Sequence, residues 1–162
     1  MSDDPAKAPG PVQNEPASAT DAEILARFQN ARSRPPGSEL LGLQITGVSQ
    51  ARKEVEASFE AKGDFSNPMR QIQGGYLCAM LDEVMSIACM VASGMTHVAP
   101  TLEMKTSFMR PATLGGRLRG VGRVIRWGKT IAFTEGELYD EENRLVAKAS
   151  GTAMPTPFAK YK

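Results

Sequence analysis

A chain of 162 residues is about one domain's worth and leaves room for one hydrophobic core. With 41% hydrophobic and 23% charged residues it is composed like an ordinary globular protein, which argues against a disordered chain or a membrane protein. A formal net charge of +1 supplies no bulk electrostatic case for nucleic-acid or membrane partners, so partners must be argued from local features.

Residues 1–19 are Pro- and Ala-rich and almost free of large apolar side chains, which predicts a disordered tail before a single folded domain over 20–162. The start, Met1-Ser2-Asp3-Asp4, lacks the basic and apolar regions of a secretory signal, and no arginine precedes Arg27 as a transit peptide would require. No segment is expected to be long and apolar enough to span a bilayer. Cys78 and Cys89 share one apolar stretch. If it is helical they stand about 16 Å apart, too far for a disulfide, and reduced thiols fit a cytoplasmic location. With His97 the only histidine, no metal site is expected.

Thr20 and Glu23 form a capping-box pattern ahead of Ile24, Leu25 and Phe28, predicting a helix from about Thr20 to Ser33 that Pro35-Pro36-Gly37 stops. Leu41 to Val48 reads as a strand with an irregularity at Gly47. Val55, Ala57 and Phe59 alternate with polar residues, the mark of a strand with one wet face. Gly63 to Pro68 is a loop. From Gln73 to Ser93 the period changes: Leu77, Leu81, Val84, Ala88 and Val91 recur at helical spacing. Gly75, Cys78, Asp82, Ser86 and Cys89 make a second, small or polar stripe. Between Gln71 and Leu102 the only charged side chains are Asp82 and Glu83, and Glu83 is expected to face solvent. Period two then returns in Leu102–Met109, Arg117–Arg126, Thr130–Tyr139 and Arg144–Ala153, with hairpin loops at 127–129 and 140–143. Helix, two strands, long buried helix and four strands predict an α+β fold, an antiparallel β-sheet wrapped around one helix.

Chemistry gathers at the start of the long helix. Gly74-Gly75 leaves backbone N–H groups unobstructed where a developing oxyanion could be received. Asn67 and Gln73 flank that point with amides, and Asp82 lies about two turns on in an apolar setting suited to a base or nucleophile. Each feature also has a plain structural reading: a turn, a cap, or an acid facing water.

Asn67-Pro68-Met69-Arg70-Gln71-Ile72-Gln73-Gly74-Gly75, continuing through Leu81-Asp82, resembles the PaaI-like branch of hotdog-fold acyl-CoA thioesterases. That branch carries an Asn, a His-Gly-Gly, and an acid nine positions after the His. Here Asn67 lies six before Gln73 and Asp82 nine after it. Pro100-Thr101-Leu102-Glu103-Met104, Phe108-Met109-Arg110-Pro111, Gly128-Lys129-Thr130, Arg144-Leu145-Val146-Ala147 and Gly151-Thr152 extend the likeness over residues 38–155. The resemblance implies a hotdog fold and hydrolysis of an acyl-CoA thioester to a free acid and coenzyme A. It implies that the Gly74 N–H polarises the carbonyl and that Asp82 activates water or attacks. Thr101 would hold the water and Asn67 assist, while Gly75 would contact substrate. No cofactor is implied beyond the coenzyme A of the substrate, and the site would lie between subunits of a homodimer or homotetramer.

Gln73 departs from the pattern, since glutamine donates a hydrogen bond but carries no proton near neutral pH. A non-catalytic acyl-CoA or lipid-binding module is therefore the alternative reading. Arg110, Arg126 and Lys129 are candidates for substrate contact, and Arg117, Arg119 and Arg123 for coenzyme A phosphates or for a polar sheet face. Met80, Met85 and Met90 are candidate pocket linings or core.

Overall fold

The computed structural model describes residues 19–161. The expected tail therefore lies outside the described residues except for Ala19. Helix α1 (Asp21–Gln29) starts at the predicted capping box: the Thr20 hydroxyl accepts from the Glu23 N–H at 3.3 Å, and the Glu23 carboxylate accepts from the Thr20 N–H at 2.7 Å. It ends one turn earlier than expected, at Asn30. Pro36 opens a second short helix, α2 (Pro36–Leu40), instead of only stopping the first, since proline suits the first helical position. Strand β1 (Gln44–Ser49) begins after the expected Leu41 because Gly42 turns the chain with φ of +61°. Its register slips between Ile45 and Gly47, as the sequence suggested.

Strand β2 (Glu54–Glu60) leads through a 3₁₀ turn to the long helix α3 (Gly74–Ala92). Then follow β3 (His97–Val98), β4 (Thr101–Phe108), β5 (Arg117–Trp127), β6 (Ala132–Tyr139), β7 (Leu145–Ala153) and β8 (Thr156–Pro157). Six strands form one sheet in the order β1-β2-β5-β6-β7-β4, antiparallel at every step, and β3 pairs with β8 separately. This is the expected hotdog arrangement.

The sheet closes on α3 because β5 offers glycine where the helix crosses. A Cβ on Gly122 would stand 2.0 Å from the Val84 carbonyl oxygen, so only glycine permits this approach. Around that contact Val55, Phe59, Leu81, Val84, Leu138 and Val146 are sealed from solvent. Each such side chain contributes about 1.5–3 kcal/mol by leaving water. With 19 residues and a mean hydropathy of 1.5, α3 does reach the length and apolarity of a bilayer span, against the expectation that no segment would. A core helix wrapped by a sheet needs the same composition, because most of its surface meets apolar side chains.

The outer sheet face carries an ion-pair ladder. Arg123 bonds Glu54 at 2.6 Å and Glu137 at 3.1 Å, and Lys148 bonds Glu135 at 3.1 Å and Glu137 at 3.2 Å. Arg119 donates to Asn143 and lies over the Tyr139 ring, while Arg117 donates to Ser58. These arginines serve the sheet face. The opposite edge differs: among the described residues β4 pairs with β7 alone, and most of its residues are exposed, Leu102 and Phe108 among them.

Candidate active site

Gln73 is the N-cap of α3. Its Oε1 accepts from the Gly75 N–H at 2.9 Å, which turns the side chain back over the helix start. A Cβ on Gly75 would meet that oxygen at 2.7 Å, so the second glycine makes room for the cap. With Oε1 engaged, the Nε2 of the exposed Gln73 is left as a donor. The Gly74 N–H has no hydrogen-bond partner among the described residues, and it sits at the positive end of the helix dipole. Beside it opens a cavity of about 400 Å³ lined by Gly74, Leu77, Phe108 and Arg110 among others. The Phe108 ring packs so near that a Cβ on Gly74 would come within 3.2 Å of it.

Asn67 organises the loop leading into the helix. Its Oδ1 accepts from the N–H groups of Met69 at 2.9 Å and Gln71 at 3.1 Å, while its own N–H donates to the Gln71 carbonyl at 2.8 Å. The loop passes through Arg70 at φ of +57°. Only the Nδ2 end of Asn67 remains to meet a ligand.

Asp82 is half-buried on the flank of α3 that carries Gly75, Cys78 and Ser86 and that lies alongside the edge strand β4. The Thr101 hydroxyl, at the start of β4, donates to Asp82 Oδ1 at 2.5 Å, and one turn away the Cys78 thiol donates to Thr106 on the same strand. Cys89, expected on this stripe, is instead fully buried, and burial pushes its thiol up to about 12. The two cysteines are free thiols. Asp82 and Gly74 do not converge within one chain: eight residues of helix separate them by about 12 Å along the axis.

The other candidates lie further out. Arg110 is exposed and donates to the Leu145 carbonyl at 2.8 Å beside the Gly74 cavity. Arg126 and Lys129 are exposed near the β5–β6 turn, without hydrogen bonds or ion pairs among the described residues. His97 lies in β3, with Nδ1 at 2.8 Å from the Thr96 hydroxyl and its ring edge-on to Trp127. Met80 and Met85 are core, and Met90 lines a cavity on the far flank. No group of His, Cys, Asp or Glu among the described residues could hold a metal.

Glu83 corrects an expectation. It does not face solvent; its Oε1 accepts from the buried Ser38 hydroxyl at 2.8 Å. Burial pushes its carboxyl above the usual carboxylate range; the Ser38 hydrogen bond opposes this and the Asp82 charge adds to it. The signal was weak, because one position along a helix turns a side chain by about 100° and only α2, itself unforeseen, supplies the partner.

The sequence profile of the thioesterase superfamily matches residues 72–147, from the helix start to β7. A candidate thioesterase from Ralstonia eutropha JMP134, described as a phenylacetic acid degradation-related protein, is 33% identical and superposes with a TM-score of 0.73 over 81% of this chain and 98% of its own. Human acyl-coenzyme A thioesterase 13 is 27% identical over 133 residues, 80% of this chain and 90% of that protein. A candidate esterase of Thermoplasma volcanium is 36% identical over 80 residues, and this chain spans only 59% of its length. The chain belongs to the thioesterase superfamily, a family of thioester hydrolases, and to its PaaI-like hotdog branch.

Proposed function

We propose that this chain hydrolyses acyl-CoA thioesters to a free acid and coenzyme A, at sites completed by a second copy of itself. The observation that carries this reading is the pairing of Thr101 with Asp82 beside the exposed edge strand, with an open Gly74 N–H about 12 Å away. One chain holds both halves of a hydrolytic site but cannot bring them to one carbonyl. A two-fold partner can, by setting its Gly74 against this Asp82. The exposed edge of β4 is where such a partner extends the sheet, satisfying unpaired backbone groups and covering Leu102 and Phe108. The likeness to acyl-coenzyme A thioesterase 13 over most of both chains supports the substrate class.

In the reaction, the Gly74 N–H and the helix dipole receive the charge that builds on the thioester oxygen. With Oδ1 bound to Thr101, the Asp82 carboxylate presents Oδ2 to a water and takes its proton as the oxygen attacks. The tetrahedral intermediate collapses by breaking the C–S bond, and the proton passes to the departing thiolate. Gln73 Nε2 and Asn67 Nδ2 are the uncharged donors on the carbonyl side.

Thiol release from short, medium, long and aryl acyl-CoAs tests the reading. Wild type turns over at least one class and Asp82→Ala loses that activity; equal background rates for both proteins on every substrate would refute it.

A further inference from the structure

The edge strand β4 carries an alternation that one chain leaves unused. Met104, Thr106 and Phe108 point inward: Met104 packs on the core, Thr106 meets Cys78, and the Phe108 ring lies against Gly74. Glu103, Lys105 and Ser107 alternate with them on the outer face, where the ion-pair ladder runs. Glu103 and Lys105 are exposed and, among the described residues, have no side-chain hydrogen bond or ion pair. The backbone of β4 is equally one-sided. The Met109 N–H donates to the Val146 carbonyl, in the register that pairs Phe108 with Ala147, so the odd-numbered residues bond β7. The N–H and C=O groups of Met104, Thr106 and Phe108 therefore point to the open side.

A second copy that completes the hydrolytic site, the reading on which this inference rests, restricts how two β4 strands can meet. Thr101 holds Asp82 and Phe108 lies on Gly74, so setting Asp82 against the partner's Gly74 brings Thr101 level with the partner's Phe108. The midpoint of those residues falls between Met104 and Lys105. Opposed residues of an antiparallel pair share a face, and a two-fold axis through the sheet returns inward side chains inward, so the axis must pass through one residue. Centred on Lys105, the pairing sets Lys105 against its own copy, with like charges directly opposed. That register also puts Leu102 opposite the partner's Phe108. The gain is limited, because the Phe108 ring is already engaged with Gly74 and Leu102 stands at the register slip between Thr101 and Glu103. Centred on Met104, the pairing sets Glu103 against the partner's Lys105 and Lys105 against the partner's Glu103. Both pairs fall at the close, non-hydrogen-bonded positions, while the free backbone groups of Met104 bond those of the partner's Met104. We infer that β4 pairs with itself about Met104, and that Glu103 and Lys105 are the charges that select this register and a second copy of this chain as the partner.

The test mixes charge variants, which lie on the surface and leave the core intact. Glu103→Lys and Lys105→Glu each make both pairs repulsive and should weaken self-association about tenfold to a hundredfold, read by sedimentation at dilution. Mixed together, the two variants complement each other. Native mass spectrometry should then find mixed dimers well above the half that random assortment gives, and the excess should shrink as salt rises. The double exchange E103K/K105E restores opposite charges and should associate like wild type. Circular dichroism confirms that each variant is folded. Random assortment of the mixture, or a double exchange no stronger than the single variants, overturns the assignment. So does wild type that stays monomeric at every concentration. Thiol release from acyl-CoA is read separately. Mixed-dimer preference in a protein without turnover removes the hydrolase reading and keeps the register; turnover without that preference does the reverse.

Discussion

The Thr101 hydroxyl donates to Asp82 Oδ1 at 2.5 Å, so the first residue of an exposed edge strand holds the acid of the central helix. A hydrogen bond to a charged group is worth about 1.5–3 kcal/mol, and here it leaves Oδ2 as the oxygen available for the proposed reaction. Replacing Thr101 with Ala is expected to lower kcat by about tenfold to a hundredfold, with KM little changed. Thr101→Ser keeps the hydroxyl and most of the rate. Steady-state kinetics on the preferred acyl-CoA checks both.

Asp82 acting as a base leaves a different trace from Asp82 acting as a nucleophile. Asp82→Asn is expected to lower kcat by about 10²- to 10⁴-fold, the usual worth of a positioned base. In a single turnover in heavy-oxygen water, the label should enter the product acid and not the Asp82 carboxyl. Mass spectrometry of the peptide containing Asp82 reads the difference.

A site shared between copies predicts complementation. Asp82→Ala removes the acid, and Gly74→Pro removes the N–H at a helix position where proline is tolerated. Each variant alone is expected to be inactive. Refolded together, they should recover about a quarter of wild-type activity, because half of randomly assorted dimers are mixed and one of their two sites is intact. Activity no higher than the sum of the parents would place both groups in one chain.

Gln73 has a consequence for pH. Its amide donates without titrating, so it adds no ionisation to the rate profile. Gln73→His should introduce a new limb centred near about 6.5, the ordinary histidine value. Profiles of kcat/KM for the two proteins, measured side by side, should differ by that limb.

Glu83 should cost stability at neutral pH. Its pKa is raised in the folded state, so the unfolded chain releases the proton first as pH rises. Below the unfolded value of about 4.3 the group contributes nothing, and its penalty grows as pH passes upward through the folded value. Glu83→Gln is therefore expected to raise Tm by a few degrees at neutral pH and to leave it unchanged in acid. The Glu54 and Glu137 carboxyls behave oppositely. Burial raises them, but their combined hydrogen bonds and ion pairs, with Arg123 common to both, hold them below the usual range. Their stabilisation is present above the unfolded value and is lost as acid titrates them. Thermal melts of wild type and Glu83→Gln across pH separate the two effects.

Much of this was legible in one dimension because it depends on local physics. The capping box at Thr20 and Glu23, the alternation of β2 and the apolar period of α3 are consequences of backbone geometry over a few residues, and they appear where the pattern placed them. The spacing from Asn67 to Gln73 to Asp82 is likewise a property of one loop and one helix. The short helix opened by Pro36 and the turn at Gly42 are not legible in this way, because neither belongs to a periodic run long enough to read.

By itself, then, the sequence determined α1, α3 and the six strands of the main sheet, the helix N-terminus with its open N–H, and the acid carried two turns along. Tertiary structure alone decided which of two adjacent acids meets Thr101 and which meets Ser38, since those partners lie on β4 and α2. It also decided that Arg123 of β5 serves an ion-pair ladder, and that β4 ends the sheet with its edge exposed. The physical reason is the same in each case. A side chain's period along its own element says which way it points, but what it meets there depends on contacts between residues far apart in the chain.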